Sequence, residues 1–223
     1  MQFRHELKHE ISRTDMLVIR ARLGAICGCD PHAKDGKYFI RSLYFDNPAD
    51  RALREKLDGV RNREKFRIRF YNGDLSFIRL EKKVKRDSLG YKESCALSAD
   101  EARAISQTDM EWMKNDDRPL VRELYEKWRN GGFAPKTVVD YTREPFVFSA
   151  GNVRVTLDYD IRTGLSATDF LNPDLPTLPV CGDPVIMEVK WDGFLPDIIR
   201  DAIQLGDRRA AAYSKYAACR AYD

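Results

Sequence analysis

Histidine is scarce in this chain, three in 223 residues, and the three are not spaced as a metal-binding set. His5 and His9 read as structural neighbours of charged residues rather than as ligands. No apolar run approaches the roughly 18 residues a membrane-spanning helix needs. The opening MQFRHELKHE is charged from its fourth residue, which does not suit a secretory leader. The chain therefore reads as soluble, unexported and cytoplasmic, with no transmembrane segment. Neither GxxxxGK[ST] nor GxGxxG occurs, which excludes a glycine loop cradling phosphates at a helix start. The five cysteines are odd in number and scattered, as expected of reduced thiols and not of a disulfide framework. Cys27 and Cys29 lie two apart with no second Cys or His pair at zinc spacing. Charge of one sign is also missing: 38 Lys and Arg against 35 Asp and Glu give +3. Any anion site must then arise from local placement, not from a basic whole.

What is present suffices for one well-buried core. At 43% hydrophobic content the chain is expected to form a single domain over residues 1–223. Capped amphipathic segments alternate with strands, which reads as α+β. Ser12 with Asp15 opens a helix through Met16, Ile19 and Leu23. Asn47 and Pro48 open another that Gly59 ends, and Ser98 with Glu101 opens a third. Leu120, Leu124 and Trp128 stripe a fourth before Gly131 and Gly132. Pro196 starts a fifth through Ile198, Ile199 and Ile203, and Tyr213–Tyr222 closes the chain as a sixth. Leu171–Pro184 reads as a loop.

The strands are more informative. In Lys65–Tyr71, alternation places Lys65, Arg67 and Arg69 opposite Phe66, Ile68 and Phe70. In Phe77–Lys85 it gathers Arg79, Glu81, Lys83 and Lys85 against Ile78, Leu80 and Val84, with Lys82 interrupting the apolar side. Asn152–Ile161 sets Arg154, Thr156, Asp158 and Asp160 against an apolar row. Val185–Asp192 does the same with Glu188, Lys190 and Asp192. Val139, Tyr141 and Arg143 share a face, as do Arg4, Glu6 and Lys8. A solvated face would tolerate Ser, Thr and Asn freely, yet these positions are mostly Lys, Arg or Glu. Helices covering the apolar side of a rolled sheet would turn the charged side inward, and closure would remove edge strands. Inward cations without partners cost several kcal/mol each, on the order of a buried unpaired charge, so such an interior calls for water and a polyanion. Phosphate oligomers suit it, since Arg grips their oxygens in fork geometry and Lys acts as a point charge. Interspersed Glu6, Glu81 and Glu188 would suit a hard divalent cation bridging phosphate oxygens.

The segments RHELK, SLYFDN, FRIRFY, LEKK, VVDYTREPF, VRVTLDYDI, MEVKW and YSKY occur in this order over nearly the whole chain. Together they resemble the catalytic domain of the vacuolar transporter chaperone (VTC) family, the polyphosphate polymerase branch of the triphosphate tunnel metalloenzymes. The resemblance implies a closed antiparallel β-tunnel of about eight strands, lined with Lys and Arg and with helices outside. It also implies transfer of the terminal phosphate of ATP to a growing polyphosphate chain, assisted by Mn2+ or Mg2+. Lys8, Arg67, Arg69, Lys83, Arg143, Arg154, Lys190 and Lys215 take the catalytic phosphate-binding places. Lys56, Lys92, Tyr141 and Ser214 take further substrate contacts. Glu188 takes the metal place, with Glu6 and Glu81 as helpers. The wider superfamily opens on ExExK, whereas Arg4 stands at the first acid here, which disfavours a hydrolytic two-metal site. Movement of the product across a membrane would fall to a membrane-protein partner.

Two rival expectations use the same residues: a hydrolase of inorganic or nucleoside triphosphates, and a non-catalytic module that holds polyphosphate. Nucleic-acid binding by a basic surface is disfavoured by the near-neutral charge.

Overall fold

The computed structural model describes residues 5–86, 89–206 and 212–222. In chain order the strands are β1 (His5–Ile11), β2 (Gly28–Cys29), β3 (Tyr38–Asp46), β4 (Arg63–Tyr71), β5 (Asp74–Arg86), β6 (Leu89–Leu97), β7 (Ala134–Phe148), β8 (Val153–Thr163), β9 (Leu178–Pro179) and β10 (Val185–Trp191). The helices are α1 (Arg13–Ile26), α2 (Arg51–Leu57), α3 (Ala99–Ser106), α4 (Pro119–Gly131), α5 (Asp197–Ala202) and α6 (Lys215–Cys219). The chain divides into two compact units. Unit 1 takes residues 1–39, 141–161 and 179–213, and unit 2 takes 40–140, 162–178 and 214–223. The long β7 gives its first half to unit 2 and its second half to unit 1.

In unit 1 the strand order is β1-β10-β8-β7. The registers are antiparallel and place Lys8 opposite Glu188 and Glu188 opposite Thr156. One row on, they place Glu6 opposite Lys190 and Lys190 opposite Arg154. The alternate residues Val153, Val155, Leu157, Val185, Met187 and Val189 form the core with Met16, Ile19 and Leu23 of α1 and Ile199 of α5. Each fully buried side chain of this kind contributes about 1.5–3 kcal/mol relative to exposure. The expected capping box is present: Ser12 Oγ accepts from Asp15 N–H, and the Asp15 carboxylate accepts from Ser12 N–H. Asp160 does not stay in the polar row expected for β8. Its φ is +51°, and its carboxylate meets Arg13 of α1, on the helix-covered side.

In unit 2 the order is β7-β3-β4-β5-β6. Phe66, Ile68 and Phe70 of β4, Ile78 and Leu80 of β5, and Leu43 and Phe45 of β3 pack against Ala102 and Ile105 of α3 and Leu120, Val121 and Leu124 of α4. Lys82, on the apolar side of β5, is tolerated because Glu123 of α4 meets its ammonium at 2.5 Å and the Phe66 ring lies 5.7 Å away. Helix α4 ends at Gly132, whose φ of +64° suits a residue without Cβ. Helix α2 begins at Arg51, later than Asn47–Pro48 suggested. Both Asp46 carboxylate oxygens accept from its first turn, at Ala52 and Leu53 N–H, and Asn47 Oδ1 accepts from Arg51 N–H. The closing helix is shorter than expected, with Ser214 as its N-cap and a 3₁₀ turn at Arg220–Tyr222. No described helix is long and apolar enough to cross a membrane. Cys27 and Cys95 are free thiols.

Candidate functional site

With helices on one side of the strands, each unit turns a charged face the other way. In unit 1 this face carries Glu6 and Lys8 of β1, Glu188 and Lys190 of β10, Arg154 of β8, and Tyr141 and Arg143 of β7. Glu188 is its centre. Lys190 Nζ lies 2.5 Å from Glu188 Oε1, and Lys8 Nζ and Arg143 Nη2 each lie 3.8 Å from Oε2. Burial alone would raise the Glu188 pKa, but the charges of Lys8, Lys190 and Arg143 outweigh it and hold the carboxyl well below its usual range. Burial likewise works against the Lys8 ammonium, and Glu188 and Glu6 overcome it, leaving the pKa raised. Glu6 meets Lys8 at 2.8 Å. Arg143 forks onto the fully buried Asp158 at 2.6 and 2.7 Å and lies 5.6 Å from the Tyr141 ring centroid. Arg154 donates to Asp30 at 3.0 Å. Cations and acids nearly balance here. Two buried atoms on this face, Thr156 Oγ1 and Arg154 Nε, have no hydrogen-bond partner among the described residues.

Among the described residues no three His, Cys, Asp or Glu side chains gather as a metal cage. The ionised Glu188, with Glu6 sharing its Lys8, is a donor set of a different sort. It fits a hard cation that takes one or two carboxylates and completes its shell with phosphate oxygens and water.

The charged face of unit 2 has the opposite balance. Here Glu81 is ringed by cations. Arg67 donates to Glu81 Oε2 from Nε at 2.9 Å and from Nη2 at 2.8 Å, and Arg69 Nη2 and Lys92 Nζ reach Oε1 at 2.7 and 3.1 Å. Burial pushes the Glu81 pKa up, and Arg67, Arg69 and Lys92 together pull it down to about 2. Both Glu81 oxygens are thus engaged in orienting the arginines. In the next row Lys65, Lys83 and Lys92 stand directly opposite one another across β4, β5 and β6. Like charges so paired destabilise a sheet unless an anion lies among them. Lys215 and Ser214 sit at the start of α6, where Ser214 Oγ accepts from Ala217 N–H at 3.3 Å. Lys56 lies in the last turn of α2.

The structure thus brings Glu6, Lys8, Tyr141, Arg143, Arg154, Glu188 and Lys190 together in unit 1. It brings Arg67, Arg69, Glu81, Lys83 and Lys92 together in unit 2, which also holds Lys56, Ser214 and Lys215. Arg4 lies outside the described residues. Sequence reasoning named Tyr141 and Ser214 but missed the hydroxyls of β3. Ser42 and Tyr44 of β3 stand opposite Arg69 and Arg67, and Ser42 Oγ and Arg69 Nε are both buried without a partner among the described residues. The signal was the alternation of Ser42, Tyr44 and Asp46 with Leu43 and Phe45 inside SLYFDN.

These features define an α+β protein whose sheets turn a charged face away from their helices. The VTC-domain family model matches residues 3–222, and the chain belongs to that family. Among solved structures, the fold is similar to the PH1012 protein of Pyrococcus horikoshii, with 14% identity, 96% of this chain and 97% of that chain covered, and a TM-score of 0.50. It is also similar to a Bacillus halodurans protein provisionally assigned as an adenylate cyclase, with 12% identity, 90% and 86% covered, and a TM-score of 0.50. At such identities the likeness concerns the fold alone. No curated protein matches the chain in sequence.

Proposed function

We propose that this protein is a metal-assisted polyphosphate polymerase that takes the terminal phosphate of ATP onto a growing phosphate chain. The closed, Lys- and Arg-lined tunnel implied by the family resemblance, and one functional domain over residues 1–223, belong to this proposal. The observation that carries it is the unit 2 face, where Lys65, Lys83 and Lys92 in register with one another adjoin two arginines anchored on Glu81. A chain of phosphates is an anion suited to so many cations side by side, and membership of the VTC-domain family supports that ligand.

In this reading a terminal oxygen of the phosphate chain attacks the γ-phosphorus of ATP in line, the bond from that phosphorus to the bridging oxygen breaks, and ADP leaves with the electron pair. No covalent enzyme intermediate forms. Arg67 and Arg69, pre-oriented by Glu81, and Lys83 and Lys92 bind and neutralise phosphoryl oxygens. Lys215, Lys56 and Ser214 extend these contacts. Lys8, Arg143, Arg154, Lys190 and Tyr141 bind phosphate on the mixed face. Glu188, with Glu6, would hold Mn2+ or Mg2+, which when bound neutralises charge on phosphoryl oxygens.

The test is incubation of the purified protein with ATP and Mn2+ or Mg2+, followed by a gel that resolves phosphate chains by length. A ladder that lengthens with time and vanishes on polyphosphatase treatment is the expected result. Free phosphate alone would replace this reading with a triphosphatase, and unchanged ATP would replace it with a binding module.

A further inference from the structure

Tyr44 lies outside the basic set just described, yet its hydroxyl is placed among it. The residue is 3% exposed. Its ring stacks on Tyr216 of α6 at 5.2 Å, and Tyr216 is itself fixed by donating to Asp46 at 2.7 Å and accepting from Arg220 at 3.1 Å. The phenol therefore has one orientation available. In that orientation its oxygen accepts from Arg67 Nη1 at 3.0 Å, and its own proton has no acceptor among the described residues.

The surrounding groups explain why. The charged side chains that face Tyr44 are Arg67 and Lys65 of β4 and Lys215 of α6, and all three can only donate. The Tyr216 oxygen is occupied by Asp46 and Arg220. A buried O–H without an acceptor among the described residues is costly unless one is brought to it, and cations beside it favour an anion.

We propose that Tyr44 is a ligand-binding residue that donates its phenolic O–H to a phosphoryl oxygen of the phosphate chain held on the unit 2 face. This rests on the phosphate reading of that face and adds a neutral donor, held in place by Arg67, to a site otherwise composed of charges. The same cations make the contact sensitive to pH. Burial raises the Tyr44 pKa, but Arg67, Lys65 and Lys215 outweigh it and bring it down to about 8. Above that pH the ligand-free protein carries a tyrosinate, which must recover its proton before it can donate to phosphate. Affinity in the native protein should then fall by up to about tenfold per pH unit relative to a variant without the phenol.

Tripolyphosphate is titrated calorimetrically into the full chain and into Tyr44→Phe, from about pH 7 to about pH 9.5, a range set by the tyrosine titration. The ligand's own titration is common to both proteins and cancels in the comparison. The expected result is binding roughly tenfold weaker in Tyr44→Phe near pH 7, as for loss of a hydrogen bond to a charged group. The two affinities should then converge as pH rises past about 8. Equal affinity throughout, or a gap that pH does not change, overturns the ligand role, the latter leaving only support of Arg67. If the native protein does not bind tripolyphosphate, the phosphate reading of the face fails and this proposal fails with it. A second measurement needs no variant. The near-ultraviolet tyrosinate signal of the native protein near pH 8.5, about half a unit above the free Tyr44 value, should shrink when tripolyphosphate is added, and an unmoved signal overturns the proposal.

Discussion

Arg41 and Asp140 are both nearly sealed from water in unit 2, and the guanidinium forks onto the carboxylate with bonds of 2.9 and 2.8 Å. Arg41→Met would leave Asp140 buried without its countercharge, at a cost of about 3–5 kcal/mol. Urea unfolding should show a loss of that size, and a loss under about 1 kcal/mol would mean that the pair is dispensable. The Arg51–Glu55 pair makes one bond of 2.7 Å and its guanidinium stays in solvent, where such pairs contribute little. At this scale the long cationic side chains were legible in the sequence, because Lys and Arg at every second position of an otherwise apolar strand are costly without a reason. Apart from Tyr141 and Ser214, the hydroxyls were not. Ser42, Tyr44 and Thr156 fit any sheet by propensity, and only the absence of a partner around a buried oxygen or proton marks them out. Glu81 was legible as a charge inside a basic row, but its geometry shows an anchor for two arginines.

At the scale of elements, the helix starts written as capping boxes appeared where the sequence placed them. In α3 Ser98 Oγ accepts from Glu101 N–H at 3.1 Å, and the Glu101 carboxylate accepts from Ser98 N–H at 2.7 Å. Ser98→Ala should lower stability by about 1 kcal/mol, read as a shift in the thermal midpoint, with an unchanged midpoint counting against the cap. The start of α2 was not legible from local signals. Its first-turn N–H groups donate to Asp46, which ends β3 and also binds Tyr216 from 170 residues away. Strands β3 and β6 were also missed. Almost every residue of β3 is buried on both faces, so no contrast between wet and dry positions reveals its period. In β6 the residues opposite Tyr91, Glu93 and Cys95 are Gly90, Lys92 and Ser94, and neither row is apolar enough to stand out.

For the molecule as a whole, the carboxylates held low by cations set its response to acid. Glu81 at about 2 and Glu188 well below its usual range are joined by Asp30, Asp50, Glu101 and Asp116, all lowered. A depressed carboxylate stabilises the fold above its unfolded value, and that contribution is lost as pH falls toward its folded value. For Glu81, dropping from 4.5 to about 2, the contribution is on the order of 3 kcal/mol. Chemical unfolding at stepped pH should therefore show little change above about pH 5 and a progressive loss from about pH 4.5 downward. A stability that stays level to about pH 3 would refute the ion-pair account. The division into units bears on how the chain is made. Each unit is assembled from three separate stretches, the last of them ending at residue 213 in unit 1 and at 223 in unit 2. Domains commonly fold on the ribosome as their segments emerge, the N-terminal one first. That order is closed to this protein: unit 1 lacks β10 and α5, and unit 2 lacks α6, until the chain has grown past residue 178, so neither can finish packing before most of the other has been made.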